Sequence, residues 1–121
     1  MSKEGKSAML NMEGLREFGA DVDEGLERCM GNEGFYLRMI GLAAQDKQID
    51  KLVSLTEAGK LEEAFEVAHS LKGMYANLAL TPISDPITEI TEYLRKGTER
   101  DYSVLLDEII KQKQHLDDLM K

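Results

Sequence analysis

The chain has 121 residues, of which 42% are hydrophobic, with two prolines, no tryptophan and a formal net charge of −8. This length suits one compact domain and leaves no room for a kinase catalytic domain beside it. The negative charge argues against nucleic acid and anionic membranes as partners, since both bind clusters of Lys and Arg. The composition therefore indicates a soluble, helical protein, and we expect it to be a monomer.

The single cysteine and the N-terminal sequence bear on where the protein works. Cys29 cannot form an internal disulfide, which suits a reducing, cytoplasmic compartment. Residues 1–14 contain no sustained apolar run, so we expect neither a signal peptide nor a membrane span. Residues 1–6 are polar and are predicted to form a disordered N-terminus, which leaves residues 7–121 as one helical domain.

Two short helices are predicted near the N-terminus. The first extends from Ser7 to Phe18 and ends at Gly19. The second is capped by Asp21 and stops at Gly31. Its apolar residues at helical spacing are Leu26, Cys29 and Met30. We expect this second helix to lie as a lid across one end of a bundle.

The next predicted helix follows an N-cap at Asn32 and has a broad apolar face, which is characteristic of a segment buried on more than one side. The members of this face are Phe35, Tyr36, Met39, Ile40, Leu42 and Ala43. A second amphipathic run, from Ile49 to Leu55, either continues the helix or follows a kink near residues 45–47. The sequence leaves both alternatives open. Gly59 is suited to end this run in the left-handed conformation.

The central helix is predicted to begin at Leu61 and to extend to Leu80. Six of its apolar residues gather on one stripe, at the spacing expected of a helix face that packs on a core. They are Ala64, Val67, Ala68, Leu71, Tyr75 and Leu78. His69 points away from this stripe, so the sequence predicts an exposed imidazole.

Thr81 is the predicted N-cap of the following helix, with Pro82 at the first helical position, and Gly97 is predicted to end it. Its inward-facing residues are Ile83, Ile87, Ile90, Tyr93 and Leu94. Pro86 has no N–H to donate, so this helix either starts irregularly or truly begins at Asp85. The pattern does not decide between these two starts.

The last helix is predicted from Asp101 to Met120. Its apolar residues are Tyr102, Leu105, Leu106, Ile109, Ile110, Leu116 and Leu119. The sequence carries no strand or hairpin signal. Four long helices joined by short turns predict an all-α, up-down-up-down antiparallel four-helix bundle with one or two short N-terminal helices.

The side chains around His69 fit an imidazole that carries a phosphoryl group. Histidine has an ordinary pKa of about 6.5, so a neutral ring nitrogen is available near neutral pH to attack an acyl phosphate. Lys72, one turn later, can donate a charge-assisted hydrogen bond to the phosphoryl oxygens. Gly73 costs about 1 kcal/mol of helix propensity relative to Ala. This cost makes sense if a side chain at that position would block an approaching partner.

Three more residues are predicted to contribute to docking, and two of them, Phe65 and Ala76, lie on this outward face. Ala76, about two turns after His69, has only a methyl side chain, so it would not obstruct an approaching partner. Phe65 and Leu61, on the preceding turns, offer apolar surface that a partner could cover. His115 has no second His or Cys at ligand spacing, so we interpret it as a surface residue rather than a metal ligand.

The string Ala68-His69-Ser70-Leu71-Lys72-Gly73, followed by Ala76-Asn77-Leu78, resembles the signature of histidine-containing phosphotransfer (Hpt) domains. The resemblance implies a phosphorelay in two-component signalling, with His69 as the phosphorylated residue and with no kinase activity of its own. The implied partners are receiver domains of response regulators or hybrid histidine kinases. These would supply Mg²⁺ and an acidic pocket, so we expect no cofactor or metal bound by this chain itself.

Two residues depart from the usual Hpt pattern. Tyr75 stands where a small residue is common, and Ala79 stands where glycine usually follows the leucine. Because Tyr75 lies on the core stripe, we expect it to alter packing more than chemistry. We expect Ala79 to cost little.

Two further hypotheses share the same helix. In one, the chain is a phosphoacceptor segment that works with a chemotaxis-type histidine kinase, and His69 takes its phosphate from ATP through a separate kinase domain. In the other, the chain is a helical adaptor that binds signalling partners without being phosphorylated.

Overall fold

The structure, a computed structural model, describes residues 10–120, and in these residues it has seven α-helices and no β-strand. The helices are α1 (Met12–Phe18), α2 (Val22–Arg28), α3 (Glu33–Gln45), α4 (Gln48–Glu57), α5 (Leu61–Asn77), α6 (Thr81–Arg95) and α7 (Ser103–Asp118). The predicted all-α class is confirmed for this part of the chain. The disordered segment predicted for residues 1–6 lies outside the described residues.

Helix α5 packs between α4 and α6, and α7 packs against α6, α4 and α3. The largest side chains that are fully buried in the core formed by these helices are Tyr36, Ile40, Leu52, Leu71, Tyr75, Ile83, Ile87, Ile90, Ile109 and Leu116. Each buried Leu or Ile contributes about 1.5–3 kcal/mol of hydrophobic stabilisation. All six residues of the predicted α5 stripe are buried, which confirms that prediction.

Four apolar residues that were predicted to lie on core-facing patterns are exposed instead. They are Met30, Phe35, Leu42 and Ile110. Since Phe35 and Leu42 are 47% and 54% exposed, the prediction that α3 is buried on more than one side was wrong. Met30 follows the end of α2 at Arg28 and has a φ of 60°, so it leaves the helical pattern and is 94% exposed.

Side-chain caps fix the starts of the first three helices. Asn11 accepts a hydrogen bond from the Gly14 N–H at 2.7 Å, so this helix begins at Met12. Residues 10 and 11, which the prediction placed inside the helix, are not helical, and residues 7–9 of that prediction lie outside the described residues. The predicted caps at Asp21 and Asn32 are confirmed, because each side chain accepts a backbone N–H three residues later, at 3.2 and 3.0 Å.

The helix is interrupted between α3 and α4. Of the two alternatives that the sequence left open, the interruption near residues 45–47 is therefore the one observed, and not a continuous helix. The backbone leaves the helix at Asp46, whose Oδ1 accepts a hydrogen bond from the Gln48 N–H at 2.7 Å. Helix α4 therefore starts anew at Gln48. It ends at Glu57, and Gly59 follows with a φ of 77°, in the left-handed conformation that was predicted.

Helix α6 continues through Pro86, which is buried inside it. The helix begins at Thr81, with Leu80 as the N-cap and no side-chain cap bond, so the predicted cap at Thr81 was wrong. It ends at Arg95, shortly before Gly97, as predicted. Helix α7 is shorter than predicted, because the residues around 101–102 and 119–120 lie outside it.

Helix α5 ends at Asn77, three residues before the predicted end at Leu80. The cause lies at Ala79, which has a φ of 57°. A left-handed residue with a Cβ costs about 1–2 kcal/mol, whereas glycine takes this conformation without that strain. The expectation that Ala79 costs little was therefore wrong.

Three backbone carbonyls at this end of α5 accept hydrogen bonds from the N-terminal part of the chain. The Arg28 guanidinium donates to the Ala76 carbonyl at 3.3 Å, and the Tyr36 hydroxyl donates to the Leu78 carbonyl at 2.8 Å. The Asp21 N–H donates to the Ala79 carbonyl at 3.0 Å. The last carbonyls of a helix have no partners within the helix. The segment containing α2 thus pairs the carbonyls of Leu78 and Ala79. It adds a donor to the Ala76 carbonyl, which also accepts the Ala79 N–H at 3.0 Å.

The strain at Ala79 can be measured against another buried alanine. We expect Ala79→Gly to unfold within about 0.5 kcal/mol of the wild type in urea, because relief of the left-handed strain offsets the lost methyl group and the added chain entropy. The matched control is Ala64→Gly, which should lose about 2 kcal/mol through helix propensity and burial. Equal losses in the two variants would contradict the assignment of strain to Ala79.

Candidate functional site

His69 lies near the middle of α5, with its side chain exposed as the periodicity predicts. Its neighbours Ala68 and Leu71 are buried, so the helix is anchored on the opposite side. Within residues 10–120 the imidazole has no hydrogen-bond or ion-pair partner, and its ring contact is with Phe65. Both ring nitrogens are therefore available to an incoming group.

Phe65, one turn before His69, makes two ring contacts. Its ring stacks on the imidazole, with the two centroids 5.7 Å apart and the planes inclined by 29°. The guanidinium carbon of Arg95, from α6, lies 5.1 Å from the Phe65 centroid. Arg95 also forms an ion pair with Glu92 at 3.4 Å. The structure thus brings a cation from α6 to the same ring that contacts His69.

The sequence alone gives no signal that Arg95 lies at this site. A basic residue in the last turn of a helix is usually interpreted as compensation for the helix dipole, and Arg95 occupies such a position in α6. Its approach to Phe65 depends on how α5 and α6 are aligned, which no spacing within either helix encodes.

Lys72 and Gly73 follow His69 by one turn and lie on the same side of α5. Lys72 is partly buried, and the structure gives its ammonium no ion-pair partner among the described residues. Gly73 is exposed, and a Cβ built on it would meet nothing within 4 Å. Ala76, farther along, is also exposed. The surface beside the imidazole therefore has no bulky side chain at positions 73 and 76, and the Lys72 ammonium lies next to it without an ion-pair partner among the described residues.

Leu61, at the start of α5, is partly buried and lines a cleft with Gly59, Glu99, Arg100 and Tyr102. The guanidinium carbon of Arg100 lies 4.2 Å from the centroid of Tyr93 and 5.6 Å from that of Tyr102. This cleft begins two turns from His69. Leu61, a predicted docking residue, thus lines a cleft that also contains the cation of Arg100.

A mainly apolar groove is lined by residues of α3 and of the C-terminal part of α5. Its lining includes Met39, Leu42, Met74, Asn77 and Leu78, and we call it the α3–α5 groove. Leu42 is exposed there, which the core pattern did not predict. Thioether side chains adapt their shape readily to a partner. The groove is therefore a second apolar surface beside the exposed face of α5.

Neither a metal cluster nor a membrane span is found in the part of the chain that the structure describes. No three His, Cys, Asp or Glu side chains of residues 10–120 are grouped so that they could hold a metal ion. His115 is exposed on α7. No helix in these residues is both long and apolar enough to cross a membrane.

Comparison with known proteins identifies a family. The model of the Hpt domain matches residues 38–121, which is most of the chain and includes α4, α5, α6 and α7. No curated protein and no solved structure matches the chain significantly. The family match includes His69 and the helix that presents it, so this protein belongs to the Hpt domain family, whose domains act in histidine phosphotransfer in two-component signalling.

Proposed function

We propose that this protein is a phosphorelay intermediate that carries a phosphoryl group on His69 between receiver domains. The observation that carries the proposal is the exposed imidazole of His69, which has no hydrogen-bond or ion-pair partner in residues 10–120 and lies beside Lys72 and the open surface at Gly73. A nucleophile in this setting can be reached by a folded partner.

The proposed transfer forms one bond and breaks one bond at phosphorus. A neutral ring nitrogen of His69 attacks the phosphorus of an aspartyl phosphate, and the acyl P–O bond breaks to release the aspartate carboxylate. In the second transfer, the aspartate of another receiver domain attacks the phosphohistidine and the P–N bond breaks. The chain stores the group between the two steps and needs no nucleotide.

Lys72 is the proposed partner of the phosphoryl oxygens. Its ammonium is free of carboxylates in the described residues and lies one turn from His69. A charge-assisted hydrogen bond from Lys72 would stabilise the phosphorylated imidazole. We propose that the receiver supplies the rest of the charge neutralisation, namely Mg²⁺ held in its acidic pocket, because this arrangement is the usual requirement of phosphoryl transfer.

The proposed arrangement of the helices keeps the phosphorylation site on the side of the bundle. The packing of α4 with α5, α5 with α6, α6 with α7 and α7 with α4 supports an up-down-up-down antiparallel bundle, as does the short connection of residues 58–60. His69 then lies away from the bundle ends. A receiver domain of a response regulator or a hybrid histidine kinase would approach the exposed face of α5.

We propose that the docking contacts flank His69 along α5. Phe65, Leu61 and Ala76 lie on this face, and the α3–α5 groove borders it. The protein would act as a monomer, since one exposed face suffices for one receiver at a time. Its free, buried Cys29 suits the reducing conditions of the cytoplasm.

Labelling of the protein should depend on His69. After incubation with a receiver domain phosphorylated on aspartate, in the presence of Mg²⁺, we expect the wild type to acquire an acid-labile, base-stable label and His69→Gln to acquire none. The matched control is His115→Gln, which removes the other histidine, exposed on α7, and should be labelled like the wild type.

Two outcomes of this experiment would contradict the relay. Labelling that occurs only with a histidine kinase and ATP would identify a phosphoacceptor segment of the chemotaxis type. Binding to receivers without any label would identify an adaptor.

Removal of the Lys72 ammonium should affect transfer and not stability. We expect Lys72→Ala to slow transfer by about 10- to 100-fold, because a hydrogen bond to a charged group contributes about 1.5–3 kcal/mol. The free energy of unfolding should change by less than about 0.5 kcal/mol, as is usual for lysines at a protein surface. Lys111→Ala, an exposed lysine on α7, is the control and should leave both quantities unchanged. A large loss of stability with normal transfer would assign Lys72 a structural role.

A bulky side chain at Gly73 should obstruct the partner without disturbing the fold. We expect Gly73→Leu to fold at least as stably as the wild type, because a side chain there meets nothing within 4 Å and leucine favours helix. The KM for the phosphorylated receiver should rise by at least about tenfold, since the added side chain stands in the path of the partner. Gly73→Ala should show a smaller effect. Unchanged kinetics in the leucine variant would refute the steric role.

A further inference from the structure

We infer that Arg95 is a positioning residue for the phosphoryl acceptor: acting through the ring of Phe65, it holds the imidazole of His69 in the orientation that meets the receiver. The inference rests on the proposed function of His69. Arg95 lies on a different helix from the Hpt signature string, and its contact with Phe65 supports the acceptor ring on the surface of α5.

The imidazole needs a contact of this kind because few others are available. His69 is exposed on the middle of a helix and has no hydrogen bond within residues 10–120. An exposed side chain with no partner changes rotamer on the picosecond to nanosecond timescale. The stack on Phe65, with centroids 5.7 Å apart, is the contact that the described residues provide to restrict this motion.

Phe65 is itself only partly buried, so it too needs support. That support comes from α6, where the Arg95 guanidinium carbon lies 5.1 Å from the Phe65 centroid, within the range of a cation–π contact. Glu92 lies 3.4 Å from the Arg95 Nη2 and orients the guanidinium. A continuous series of contacts therefore leads from α6 through Arg95 and Phe65 to His69.

A positioning role for Arg95 differs from a direct role in a way that can be measured. If Arg95 instead contacted the phosphoryl group, its removal would matter whether or not Phe65 were present. If it acts through the ring, its removal has no further effect once Phe65 is replaced. A double-mutant cycle of Arg95→Ala and Phe65→Leu separates these cases.

The first measurement uses the unphosphorylated protein and does not depend on the relay. The Phe65 ring should shift the ring-proton NMR signals of His69 upfield, and Phe65→Leu should abolish this shift. We expect Arg95→Ala to reduce it, Arg95→Lys to retain most of it, and Arg95→Ala to add nothing in the Phe65→Leu background. The backbone amide spectrum of each variant verifies that the fold is kept.

The second measurement is the rate of transfer from a phosphorylated receiver. We expect Arg95→Ala to lower kcat by about tenfold with little change in KM, because the acceptor ring is less often in the reactive orientation. Phe65→Leu should lower kcat by a similar factor, and because leucine keeps an apolar side chain on the docking face, KM should rise less than kcat falls. The double variant should be no slower than Phe65→Leu alone. Arg16→Ala is the matched control, since Arg16 also forms an exposed ion pair at 3.4 Å but lies on α1. It should transfer at the wild-type rate.

Several outcomes would overturn the inference. Unchanged His69 signals in Arg95→Ala would show that Arg95 does not hold the stack, and multiplicative losses of rate in the double variant would assign Arg95 a direct role. If the wild type accepted no phosphoryl group at all, the proposed function would fail and the positioning role with it. Failure of Arg95 alone is distinguished from this case by normal labelling of the wild type on His69.

Discussion

The rotation of α5 about its own axis is the constraint on which the site depends. A helix that buries one apolar stripe must expose the opposite side, and Ala64, Leu71 and Tyr75 are all buried in the core. The Tyr75 hydroxyl donates a hydrogen bond to the Ala43 carbonyl of α3 at 3.3 Å, which ties the helix to its neighbour. With the stripe fixed in this way, His69 can only face outward.

Two buried tyrosines hold this arrangement from different helices. Burial raises the pKa of Tyr75, and burial likewise raises the pKa of Tyr36 to about 12, so both hydroxyls remain protonated donors through the neutral range. Tyr36 donates to the Leu78 carbonyl just past the end of α5. Tyr75 is fully buried, which confirms its predicted place on the core stripe of α5. Tyr36 lies, together with α1 and α2, in residues 12–37, which the family match does not include.

Periodicity within a single helix predicted much of the fold and the exposed position of His69. The core stripe of α5, the caps at Asp21 and Asn32 and the stop at Gly59 all depend on residues close together in the chain, so the sequence carries their signals. Whether a second apolar face is covered depends instead on how many helices surround it. For this reason the pattern predicted that Phe35 and Leu42 are buried, whereas both are exposed in the structure.

The features that the sequence did not predict arise between elements or from backbone geometry. Arg95 reaches Phe65 because α6 packs alongside α5, and this alignment is a property of the assembled bundle. Ala79 takes a left-handed φ that the residue type disfavours, because the chain must turn there from α5 into α6.

The phosphohistidine itself is tested most directly by ³¹P NMR together with peptide mapping of the protein after exposure to a phosphorylated receiver. The account predicts a phosphoramidate signal and a phosphate that maps to His69. A phosphate ester on Ser, Thr or Tyr, or phosphate on His115 with none on His69, would contradict it.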